Sequence, residues 1–381
     1  MGASRSGARR GAHGALAWTW LAVLLCACAP RPPAQHAALT GEDPVVNVYN
    51  WGEYIDTEVL GDFEREYGIH VNYDVYDSNE VLETKLLVGH TNFDVVVPSG
   101  YFLETQIRAG IYRRLDKGAL PNFRNLDPEV VRQLALYDPG NLYAVAYMWL
   151  STTGIAYNVA QIRARMPDAP LDSWRMMFDP QVLQRFQDCG IGMLDSPINV
   201  VSSALIYLGH DPNSESPVHL REAEQLLRSV RPYVRYTDNT RMAADLANGD
   251  ICLGIDWSGD IPFARESAAS NGIELAFSIP KEGAISNMDT LAIPADAPHP
   301  RNAELFINYL LRPEVAARNT TVVKYANAVA GSGAFMSEAL RNDPVVYPPP
   351  EVRARLQPSR ARSHGYMRLL IRAWTRFKAG H

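Results

Sequence analysis

"VVNVYNWGEYID" (45–56) runs as an apolar strand and then stops in aromatic rings and carboxylates. Thr57 is placed to N-cap a helix over "EVLGDFEREY", whose Val59, Leu60 and Phe63 recur at helical spacing, and Gly68 supplies its stop. "HVNYDVY" (70–76) alternates, with Val71, Tyr73 and Val75 on one face, and "NEVLETKLLVG" (79–89) reads as a second helix. "FDVVVPS" (93–99) is an unbroken apolar strand ended by proline. The order is βαβαβ, with strands apolar enough to be covered on both faces, which predicts a parallel sheet. Ligands of such sheets sit beyond the carboxyl ends of the strands. Trp51, Glu53 and Tyr54 after the first strand should therefore share a rim with Ser99, Gly100 and Tyr101 after the third.

The pattern restarts beyond Leu142. "YAVAYMWLSTTGIAYN" (143–158) is long enough to cross between two lobes, and helical runs follow at 179–188, 199–208 and 219–230. "DICLGIDWSGDI" (250–261) is another apolar strand, followed by "ELAFSIP", "DTLAIP" and the helix "RNAELFINYLL" (301–311). The tail "YMRLLIRAWTRFKAG" (366–380) is helical and basic. One grammar occurs four times, an apolar strand closing in aromatic, small and acidic residues: "NWGEY", "PSGYF", "DWSGD" and "ISNMD". Four instances point to a cleft lined from several directions.

Length supports the same division, since 381 residues exceed one ordinary core and imply two domains. The N-terminus differs from the body. Arg5, Arg9 and Arg10 precede the apolar run "ALAWTWLAVLLCA" (15–27), the layout of a secretory signal. "LCAC" (25–28) is similar to a lipobox, which predicts lipidation of Cys28, or simple cleavage beside it, and "APRPPAQHAALTGED" (29–43) reads as a tether. No stretch of the body reaches the roughly 20 apolar residues of a membrane span. Removing residues 1–27 takes away three Arg and no acid, so 36 basic residues fall to 33 against 42 acidic ones, a formal charge of −9. That balance argues against nucleic acid, which needs a basic footprint.

Of four cysteines, Cys26 and Cys28 belong to the signal region. Cys189 and Cys252 are left as an even pair in an oxidising compartment, which favours a disulfide over two separately buried thiols. Neither has a second Cys or a His at ligand spacing, so no metal site is expected. The sequence contains no G-x-S-x-G, H-E-x-x-H, G-x-x-x-x-G-K-[ST] or G-x-G-x-x-G, and its nine His form no i, i+4 pair. An enzyme and a cofactor are accordingly not expected. Rings with carboxylates suit an organic cation: a ring face attracts ammonium by about 0.5–2 kcal/mol, and carboxylates add charge-assisted hydrogen bonds. None of the four rim segments contains Arg or Lys, as an anion receptor would require.

"VYNWGEYI", "YDVYDSNEVLETKL", "FDVVVPSGYFLE", "LDPE", "DPGN", "TTGIAYN", "LANGDICLGIDWSGD", "FSIPKEGA", "NYLLRPEV", "KYANA" and "YPPPEVRARL" occur in order over 45–378. Together they resemble the periplasmic polyamine-binding proteins of ABC transporters, the putrescine branch above all. The resemblance implies an α/β protein of the type II periplasmic-binding-protein fold, with a ligand cleft between two lobes. The expected division is a signal at 1–27, a tether at 28–44, lobe 1 at 45–147 and 270–312, and lobe 2 at 148–269 and 313–381. It further implies a monomeric receptor in the periplasm that captures a linear diamine or polyamine for an ABC permease, and the lipobox-like segment would anchor it through Cys28.

Carried over by position, Trp51 and Tyr54 are site rings, Glu53 reaches toward an amine, and Ser99 contributes from the rim. Trp257 is a flat wall with Asp260 beside it, Asp289 grips an amine, and Tyr325 adds a ring. Cys189 and Cys252 align with a disulfide of the putrescine branch. Two positions depart. Asn199 stands where the family carries a glutamate, with Asp195 or a water as its possible substitute, and Asn287 stands where an aromatic is usual. The same fold could bind another small solute or act as a sensor without transport, and amine binding is what separates these readings.

Overall fold

A computed structural model describes residues 40–380. The signal, Cys28 and most of the tether lie outside them. The strands are β1 (Val45–Trp51), β2 (His70–Tyr76), β3 (Val95–Val96), β4 (Ala144–Asn158), β5 (Ile191–Met193), β6 (Tyr236–Thr237), β7 (Leu253–Trp257), β8 (Leu275–Ser278), β9 (Ala284–Ala292), β10 (Ala326–Asn327) and β11 (Leu356–Pro358). The helices that matter for the site are α1 (Thr57–Tyr67), α2 (Asn79–Val88), α3 (Gly100–Arg108), α4 (Pro197–Tyr207), α5 (Asp260–Ser270), α6 (Pro313–Val323) and α7 (His364–Lys378).

Among the described residues the strands form one continuous sheet in the order β2-β1-β3-β9-β4-β7-β5-β6. β1 pairs in parallel with both β2 and β3, as the βαβαβ reading requires. β9 and β4 then run antiparallel to their neighbours and carry the sheet from one half to the other. The third strand is shorter than "FDVVVPS" suggested: past Val96 the chain turns to bridge Asp289 through Ser99. Edge strand β2 leaves Val75 exposed, so only the start of its predicted apolar face packs.

Helix α1 shows how local chemistry sets an element. Its N-cap is Asp56, not Thr57: the Asp56 carboxylate accepts the Glu58 N–H at 3.0 Å, satisfying an orphan donor of the first turn. Gly68 closes it in the left-handed region at φ 66°. The buried face carries Val59 and Phe63, and Phe63 meets Phe306 edge-on at 5.1 Å. Each such ring contributes about 1.5–3 kcal/mol by leaving water.

Two hydrophobic cores result. The first takes residues from β1, β2 and β3, the front half of β4 (Ala144–Leu150) and the back of β9 (Met288, Leu291, Ala292). The second takes Ile155–Tyr157 of β4, β5, β7, α4, Leu275, Ala284 and Ile285, and the apolar face of α7. These cores correct the expected boundaries in two places. Residues 275–285 pack in the second core although 270–312 was expected in lobe 1. Val315, Ala316, Val323, Tyr325 and Ala326 pack in the first although 313–381 was expected in lobe 2. The reason is pairing: β8 joins the far half of β4, whereas β10 joins its near half at Trp149. Cys189 and Cys252 form a disulfide across 63 residues, with Cα atoms 5.6 Å apart, inside the second core.

Candidate functional site

Where the chain crosses between the two cores, β4 departs from regular pairing. Its register against β9 shifts on both sides of Met148, and Leu150 adopts a left-handed φ of 57°. Bulges of this kind re-aim side chains. The carboxyl ends of β1, β3 and β7 and the middle of β9 converge on this stretch.

Asp289 lies at its centre, 7% exposed, opposite Met148 on β4. Two hydroxyls donate to it: Tyr54 Oη to Oδ2 and Ser99 Oγ to Oδ1, both at 2.6 Å. Ser99 is the N-cap residue of α3, yet its hydroxyl does not cap the helix because it is given to Asp289. Asn79 holds that serine, accepting its backbone N–H at 3.1 Å and donating to its Oγ at 3.0 Å. Burial raises the Asp289 carboxyl above the usual range, and the two hydroxyls act in the opposite direction.

The turn after β1 delivers Tyr54. Glu53 takes a left-handed φ of 54°, which leaves its own side chain exposed and turns the next residue inward. Tyr54 packs against Tyr325 at 5.5 Å and Tyr147 at 6.0 Å, and burial pushes its hydroxyl pKa up. Trp51 is a fixed wall, its indole N–H donated to the Val97 carbonyl at 2.9 Å and its ring against Tyr76 at 4.7 Å.

On the other side, β7 ends at Trp257, a half-buried ring packed against both cores. Asp260 opens α5. The Tyr325 ring reaches it from the first core, its hydroxyl 3.5 Å from Asp260 Oδ1. Gly259 makes this approach possible, because a Cβ there would sit 2.0 Å from the Tyr325 ring. Burial pushes Asp260 up to about 7; hydrogen bonds from Tyr325 and Asp256 act against that rise, and the negative charge of Glu53 adds to it. Asp256, on β7, is 1% exposed and also raised, by burial first and by Asp260 second.

Asn199, on α4, is 3% exposed and occupied by neutral partners: it accepts from Thr153 Oγ1 at 3.0 Å and donates to Ser196 Oγ at 2.6 Å. Asn287 Nδ2 lies 3.4 Å from the same carbonyl. Asp195 does not stand in for the missing glutamate. Its carboxylate is held by Trp374 Nε1 at 2.7 Å and by Lys378 Nζ at 2.9 Å, on the tail helix.

The structure thus brings Tyr54, Ser99, Asp289, Tyr325 and Asp260 together, sets Trp51 and Trp257 at their flanks, and leaves Glu53 at the exposed edge. Asn199 is tied to Thr153, the cross-strand partner of Trp257. Sequence reasoning missed Asn79, Tyr147 and Asp256. Asp256 was visible as the first letter of "DWSGD", but nothing in the spacing set it apart. Among the described residues no Lys, Arg or His lies within ion-pair distance of Asp256, Asp260 or Asp289, and no three His, Cys, Asp or Glu gather as metal ligands. A buried carboxylate without a counter-charge is costly, and burial raises the pKa of all three.

Two hydrophobic cores on one mixed sheet, joined through β4 and β9 with the polar cluster at the crossing, match the type II fold of solute-binding receptors. Residues 58–346 match the family of bacterial extracellular solute-binding proteins, and the chain belongs to it. It is 45% identical over 346 residues to the putrescine-binding periplasmic protein SpuD of Pseudomonas aeruginosa (strain UCBPP-PA14), covering 90% of this chain and 94% of that one. The putrescine-binding periplasmic protein PotF of Escherichia coli (strain K12) is also 45% identical, over 90% of this chain and 93% of its own. Among solved structures, the spermidine/putrescine ABC transporter substrate-binding protein PotD of Streptococcus pneumoniae matches with a TM-score of 0.74 at 28% identity, over 88% of this chain and 99% of that one. These relatives are binding proteins of transport systems and not enzymes.

Proposed function

We propose that this protein is a periplasmic receptor that captures a linear diamine or polyamine in the cleft and hands it to an ABC permease. One observation carries the reading: Asp289 is buried and Asp260 half-buried among Tyr54, Tyr325 and Trp257, with no basic side chain against either. Ring faces and carboxylates are what an ammonium group binds, and the identity to putrescine-binding relatives agrees. Trp51, Tyr54, Ser99, Trp257, Asp260, Asp289 and Tyr325 form the ligand contacts, with Glu53 at the mouth and Asn199 at the far side. Closure of two lobes on a ligand that touches both is the hinge response of such a fold. The lobes meet near Leu150 on β4 and Asn287 on β9. The receptor acts as a monomer and is anchored to the membrane through a lipidated Cys28.

The test is a thermal-shift panel of putrescine, cadaverine, agmatine and spermidine against glutarate as the anionic control. Amines raise the melting temperature and glutarate does not. Silence for every amine would end the transport reading. Mass spectrometry of the membrane fraction checks Cys28: a diacylglyceryl-modified N-terminal cysteine is expected, and an unmodified cut beside it would refute the anchor.

A further inference from the structure

Asp256 has no structural partner that accounts for it. It is 1% exposed, its Oδ2 has no hydrogen-bond partner, and its Oδ1 accepts only the N–H of the next residue, Trp257, at 2.9 Å. Its carboxyl and that of Asp260 lie within hydrogen-bonding reach of each other. By contrast, Asp56 and Asp62 share Arg318. Here two carboxyls meet with no cation between them, beneath the Tyr325 ring that Gly259 admits.

The position is also informative. Asn199, neutral and already bonded, hangs from Thr153, which pairs across β4 and β7 with Trp257; Asp256 is the preceding residue on that strand and faces Gly154. A charge needed at this end of the cleft cannot come from Asn199 or from Asp195. The acids left at this end are Asp260 and Asp256, the latter on the sheet face opposite Thr153 and Trp257.

We propose that Asp256 is a ligand-binding residue: with Asp260 it forms a two-carboxyl seat for the second nitrogen of a linear amine, supplying the charge that Asn199 lacks. The proposal rests on the amine-binding reading above. In the empty protein the two carboxyls share a proton, since two buried like charges in contact cannot both ionise. An entering ammonium takes that proton's place, the proton leaves to solvent, and both carboxylates become paired. The groups facing this seat are Glu53, Tyr325 and the two carboxyls themselves.

The experiment is calorimetric titration of wild type, Asp256→Asn and Asp256→Asn/Asn199→Glu with putrescine and with 1-aminobutane, in two buffers of different ionisation enthalpy, alongside ligand-free melting. Asp256→Asn should lose at least tenfold in putrescine affinity and most of the proton release. It should change 1-aminobutane, seated at Asp289, by less than about threefold, and should melt no lower than wild type. Adding Asn199→Glu should recover much of the putrescine affinity. Putrescine affinity within twofold of wild type with unchanged proton release would overturn the assignment. So would equal loss of both amines with a lowered melting temperature, the signature of a structural role. Wild-type protein that binds neither amine removes the amine reading and this assignment with it.

Discussion

Asp289, buried, and Asp260, half-buried, are carboxylates of one site, prepared in opposite ways. Asp289 receives two short hydroxyl hydrogen bonds, from Tyr54 and Ser99, and the second donor is itself held by Asn79. Asp260 receives one long contact from Tyr325 and shares its space with Asp256. At the first, two fixed donors act against the rise in pKa that burial causes. The second holds a proton until something better arrives. The difference suggests a division of labour, in which one end anchors an ammonium group and the other converts to charge only around a ligand.

The strongest way to break this comparison is Asp289→Asn. Removing the anchoring charge should weaken putrescine by about 2–5 kcal/mol, the range for truncating one partner of a buried charge pair. Asp260→Asn should cost less at neutral pH, because part of that charge is already absent in the empty protein. Equal losses in calorimetry would erase the distinction between the two ends. Tyr54→Phe sharpens it, since only one of the two Asp289 donors is lost, at about 1.5 kcal/mol or roughly tenfold in affinity. Trp257→Ala removes a ring face that serves both ends, and a loss of about 1 kcal/mol is expected.

The pH dependence is the most diagnostic effect. The amine stays protonated across neutral pH, whereas Asp260, pushed up to about 7 by burial, must lose its share of the proton to bind it. Putrescine affinity should therefore rise from pH 6 to pH 8, by no more than about tenfold per unit per proton. Stability of the empty protein moves the other way. A carboxyl whose folded pKa is raised contributes stability below its unfolded value near 4, and that contribution is lost as pH rises through about 7. Melting curves with and without putrescine should thus diverge with rising pH; parallel curves would show that the pair does not titrate on binding.

Much of the fold was legible because it is local. The strand periods, the Gly68 stop and the four strand endings follow from neighbouring residues, and β1, β2 and β3 pair as that reading requires. What failed was non-local. An amphipathic helix shows that it has a buried face but not which core will bury it: α6, expected in lobe 2, packs in the first core because its continuation into β10 fixes it against β4. The same limit hid the partnership of Tyr54 and Asp289, 235 residues apart. Asp195 looked available in "MLDSPINVV" because nothing in the sequence tells that Lys378 and Trp374 return to occupy it. Asp256 looked like one acid among 42, and its burial with Oδ2 unpartnered distinguishes it.

The central claim, that this cleft binds a linear dication between carboxyls, is tested most directly by titrating the wild-type protein with three four-carbon chains: putrescine, 1-aminobutane and succinate. They carry two cationic ends, one cationic end and two anionic ends. The account predicts tight binding of putrescine, binding of 1-aminobutane weaker by at least tenfold, and no heat from succinate. Putrescine binding no tighter than 1-aminobutane, or any saturable binding of succinate, would contradict it.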